Sequence, residues 1–70
     1  MITREEILEE IRKLNDAIVG LESDLLSPTI DANERTAMRN QITAIRNEIA
    51  IEKQRLLFLE QQGNFNFLVT

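Results

Sequence analysis

Apolar residues recur over the first third of the chain at Ile7, Ile11, Leu14, Ile18, Leu21 and Leu25, in alternating steps of four and three. A helix turning every ~3.6 residues gathers such positions into one narrow seam, the pattern of a coiled coil. The start is marked in MITREEI, where Thr3 is placed as an N-cap and Glu6 completes a capping box. Ile2 and Ile7 bracket that cap as a hydrophobic staple, and Glu5 and Glu6 put negative charge at the positive end of the helix dipole. The pattern predicts a helix over about residues 3–26.

Pro28 biases Ser27 away from helical backbone, so SPTID reads as a turn over residues 27–31. Asp31 and Glu34 then repeat the capping pattern. A second seam follows at Met38, Ile42, Ile45, Ile49, Glu52, Leu56 and Leu59, interrupted only by Glu52. The second helix is expected over residues 32–62, with Gly63 as a left-handed stop. Beyond it NFNFLV alternates like a short strand with no sheet to join, so residues 63–70 read as an apolar tail.

Two amphipathic helices on a short turn predict an all-α fold, an antiparallel two-helix hairpin. A tight turn at Pro28 favours a register with Ile18 facing Met38, Leu14 facing Ile42, Ile11 facing Ile45 and Ile7 facing Ile49. Arg4 and Glu52, the polar residues on the two seams, then meet as a register-setting pair. A register slid by one heptad covers more of the second seam, but it opposes Ile11 to Glu52 and needs a longer loop.

In the favoured register Leu56 and Leu59 overhang the first helix, and Leu25, Leu26 and Ile30 are under-covered at the turn. Ala37, Ala44, Ile51 and Phe58 form a further stripe at seven-residue spacing, which Leu57 widens. Burying a Leu or Phe side chain contributes about 1.5–3 kcal/mol. The expectation is therefore self-association, as a homodimer of hairpins forming a four-helix bundle. The overhang of one copy, with Phe58, covers the turn end of the other, and Phe65 and Phe67 fold over the bundle end. Isoleucine at both kinds of seam position leaves higher oligomers open.

Composition supports the need for a partner. Seventy residues bury a modest core, and with no Cys and no His neither a disulfide nor a zinc site can staple it. At 43% hydrophobic the chain is too apolar for a disordered tail. Its net charge of −4 disfavours non-specific attraction to nucleic acid or anionic lipid. The start MITREEILEE has acids where a signal peptide has a basic start, and no apolar run reaches the ~20 residues of a membrane span. A soluble intracellular protein without membrane association is expected.

Catalysis has little to work with. His, Cys and Tyr are absent, which removes the common bases, thiol nucleophiles and phenolic acids. Glu5, Glu6, Glu9 and Glu10 spread over different helix faces and read as a solvated acidic end. No catalytic residue, metal set or cofactor is predicted. Arg39, Arg46 and Lys53 recur at seven-residue spacing, and pairing with Glu22 and other acids of the first helix is the favoured reading. The functional expectation is a non-enzymatic scaffold or adaptor module that binds itself, with its tail as a second candidate contact for another protein. The alternative is a small nucleic-acid-binding regulator using Arg35, Arg39, Arg46 and Lys53.

Overall fold

The computed structural model describes residues 3–69, with side chains through residue 61. Two helices, α1 (Arg4–Leu25) and α2 (Ala32–Val69), lie against each other as a hairpin. The Thr3 hydroxyl accepts from the Glu6 amide at 3.2 Å and so satisfies one orphan donor of the first turn. Tightened bonds close α1, the Leu26 and Ser27 amides donating to the Ser23 and Asp24 carbonyls at 3.1 Å each. In the turn the Thr29 amide donates to the Ser27 hydroxyl at 3.3 Å. Asp31 caps α2, its Oδ1 accepting from the Glu34 amide at 2.7 Å.

Both seams face inward. Ile7, Ile18, Ile42 and Ile49 are buried, at 2–7% exposure, and every other seam residue of either helix is half-buried. Ile18, Ile42 and Ile49 form the core, with Ile11, Leu14, Leu21, Leu25 and Ile45 against it.

The register corrects the favoured expectation. Arg4 approaches Glu60 at 3.5 Å, about one heptad beyond Glu52. Glu52 pairs with Arg55 of its own helix at 3.2 Å, so Arg4 and Glu52 form no pair. The slid register wins because it brings Leu56 and Leu59 under α1, where they are half-buried. Its cost at Glu52 is small, since that carboxylate finds its cation one helical turn away.

The stop predicted at Gly63 is also corrected: α2 continues through it to Val69. A glycine costs a helix about 1 kcal/mol relative to alanine but keeps its N–H donor, and no proline follows. With Arg4 level with Glu60, residues 61–69 run beyond α1 by about 13 Å. Ile2 lies outside the described residues, as do the side chains of Phe65 and Phe67.

Candidate interaction surface

Once the seams are closed, five large apolar side chains among the described residues remain more than half exposed, with Leu8 a sixth at 38%. Leu26 is 84% exposed, Val19 65%, Phe58 59%, Leu57 54% and Ile51 53%. They stand on regular helix, apart from Leu26 at the end of α1, so the backbone holds their positions. They sit on two flanks of the hairpin. One flank is a shallow groove floored by Ile18, Val19, Ile49 and Ala50 and rimmed by Asn15, Glu22, Arg46 and Lys53. On the other, Ile51 borders Glu48, Glu52 and Arg55.

The expected interface residues divide accordingly. Leu26, Ala37, Ala44, Ile51, Leu57 and Phe58 are exposed. Leu25, Leu56 and Leu59 are not free, because they are half-buried along the seams, and Ile30 is half-buried in the turn. The overhang begins beyond Glu60, so Leu56 and Leu59 already have a partner within the chain. Val19 was not anticipated. It lies off the seam, seven residues before the exposed Leu26, and that spacing was its signal.

The basic stripe stands differently from the favoured reading. Glu22 lines the same groove as Arg46 and Lys53, yet among the described residues Arg39, Arg46 and Lys53 form no ion pair. The ion pairs lie elsewhere. On the outer side of α1, Arg12 donates from Nε to Glu9 at 3.1 Å and from a terminal nitrogen to Asp16 at 2.9 Å. The hydrogen bond from Arg12 holds the Glu9 carboxyl below its ordinary range; desolvation opposes it, and the charges of Arg12 and Lys13 add to the lowering. The same bond raises Arg12.

Arg35 is the other residue the sequence reading missed in this role. It sits half-buried at the start of α2 and reaches the Leu25 carbonyl at 2.9 Å. Its signal was indirect: α1 has no basic residue in its own last turn to meet the exposed carbonyls there.

Among the described residues no group of three or more acids could hold a metal ion. No described helix is long and apolar enough to cross a membrane. The chain matches no known protein family, no curated protein and no solved structure.

Proposed function

We propose that this chain is a non-enzymatic interaction module, a helical hairpin that assembles with a second copy of itself into a four-helix bundle. One observation carries the reading: Ile51, Leu57 and Phe58 stay more than half exposed on a helix whose other face is already filled. A chain of this size gains stability by covering such residues, since among the described residues its own core has four buried side chains. Residues 61–69 of α2 extend the same helix past α1 and offer further backbone length for a partner. Scaffold or adaptor work follows from such a module.

Light scattering on the wild type and on an Ile51→Asp, Phe58→Asp double variant tests this. Both positions are exposed, so the hairpin itself is spared. A wild-type dimer that the variant reduces to a helical monomer is the expected result. A wild type that remains monomeric at high concentration sinks the reading.

The unpaired row of Arg39, Arg46 and Lys53 supports a second reading, binding to a nucleic acid backbone. Phosphate contacts weaken steeply with salt. Binding of duplex or single-stranded oligonucleotides that vanishes on replacing the three by Gln would establish it, and absence of binding at low salt would remove it.

A further inference from the structure

The side of α2 turned away from α1 carries no charge. Asn33, Asn40, Asn47, Gln54 and Gln61 recur there at seven-residue spacing, all exposed. Between them, at steps of four and three, stand Ala37, Ala44, Ile51 and Phe58, also exposed. These nine residues form a second complete heptad seam, half carboxamide and half apolar, about 42 Å long. The corresponding side of α1 is different over its first half: Glu5, Glu9, Arg12 and Asp16 project there, with Arg12 bridging Glu9 and Asp16, before the stripe ends in Val19, Ser23 and Leu26. Charge marks the first half of the outer side of α1 as solvated, whereas the outer side of α2 is uncharged along its whole described length, and that marks it as the mating face.

We infer that α2 pairs in parallel and in register with α2 of a second copy along this seam, each carboxamide meeting its own counterpart. The inference rests on the self-association proposed above and names its face and orientation; because this face lies opposite α1, the four helices then stand in a row with the two α2 helices at its centre, in place of a bundle closed around one core. Three features of the seam select the second copy as occupant.

The first is electrostatic. Two copies each carrying a net charge of −4 repel, and this strip is where they approach with least opposition. The second is self-complementarity. A two-fold interface uses the same patch on both sides, which a row of one charge cannot satisfy. A carboxamide carries donors and an acceptor and can pair with its own copy. Among the described residues none of the five makes a side-chain hydrogen bond within the chain, whereas nearby Thr36 and Thr43 return their hydroxyls to the Ala32 and Arg39 carbonyls.

The third feature fixes orientation. In a parallel pair each layer holds identical residues, so amides meet amides and Ile51 and Phe58 meet their own copies. In an antiparallel pair the two kinds of layer interleave. Amides would then be buried against Ile51 and Phe58 with their hydrogen bonds unmade, which is costly. The neighbouring rows do not oppose the parallel arrangement. One is uncharged (Thr36, Thr43, Ala50, Leu57) and in a two-fold parallel pair it faces the other, which carries Glu34, Glu48 and Arg55 beside Gln41, so no two like charges are set directly together.

Single-cysteine cross-linking of the full chain tests this, because the chain has no cysteine of its own. Asn40→Cys and Gln54→Cys, each alone under mild oxidation, are expected to become mostly covalent dimers, and Asp16→Cys is not. Asn47→Lys, which sets two like charges together mid-seam, is expected to weaken association at least tenfold with helicity kept. A wild type that scatters as a dimer while neither seam cysteine cross-links overturns the face but leaves self-association standing. Cross-linking only in a mixture of the Asn40→Cys and Gln54→Cys chains overturns the parallel orientation. A wild type that is monomeric throughout removes the proposed function and this inference together.

Discussion

Arg35 donates a 2.9 Å hydrogen bond to the backbone carbonyl of Leu25, tying the first turn of α2 to the last turn of α1. The two residues lie ten positions apart across the turn, so the contact fixes how the chain leaves one helix and enters the other. It also brings positive charge to the negative end of an α1 that has no base there.

Removing that contact leaves a part-buried carbonyl without its charged donor. Arg35→Ala is expected to destabilise the hairpin by about 1.5 kcal/mol. Arg35→Lys keeps the charge but loses the planar fork, and recovers part of the loss. Urea midpoints compared at one fixed protein concentration check both, since association shifts apparent stability. An unchanged midpoint for Arg35→Ala would show that water replaces the guanidinium at no cost.

Gly20 lies inside α1, and a Cβ added there would meet nothing within 4 Å. No close approach within the hairpin requires glycine at this position. Gly20→Ala is therefore expected to stabilise the chain by about 1 kcal/mol through backbone entropy. Thermal unfolding reads the gain. If the variant instead weakens association, a second copy packs on this side of α1 and not on α2 as inferred.

The pairing of Arg4 with Glu60 gives a way to read the register in solution. Both side chains are about half exposed, so their coupling should be only about 0.2–1 kcal/mol and should fade in high salt. A double-mutant cycle on Arg4→Gln and Glu60→Gln is expected to return that small coupling, and a cycle on Arg4→Gln and Glu52→Gln none. Coupling in the second cycle would restore the register with Arg4 opposite Glu52. The pair reports the register without setting it; that task falls to Leu56 and Leu59, which the slid alignment covers.

This separates what the sequence makes legible from what it does not. The seams are legible because a four-three spacing of Ile and Leu has one helical solution, and each predicted seam residue is buried or half-buried. The caps at Thr3 and Asp31 are legible because they are local, settled within three residues. The register is not local. It depends on which alignment covers Leu56 and Leu59, and Glu52 does not oppose the slid one because Arg55 three residues on supplies a cation as readily as Arg4 across the hairpin. An apolar residue facing outward is recognisable only after the register is known, so Leu56 and Leu59 read as free interface and turn out to be covered. The end of α2 was misread at Gly63 because the same residue that caps one helix is tolerated within another.

The Glu9–Arg12–Asp16 cluster on the outer side of α1 yields a pH prediction. Hydrogen bonding and charge from Arg12 lower the Glu9 pKa, so Glu9 is more acidic in the folded chain than in the unfolded one. Stability from this source is fully present above the ordinary carboxylate range and is lost as pH falls through the depressed Glu9 value. Arg12 stays protonated throughout and adds no titration of its own. The carboxyl resonance of Glu9, followed by NMR, is expected to titrate at lower pH in the wild type than in Arg12→Gln, which removes the hydrogen bond and charge that lower it. The three side chains are exposed, so the variant is expected to leave the hairpin folded at neutral pH. Equal titration of Glu9 in the wild type and in Arg12→Gln would mean that water screens the contact, and that α1 holds its helix by the cap and the seam alone.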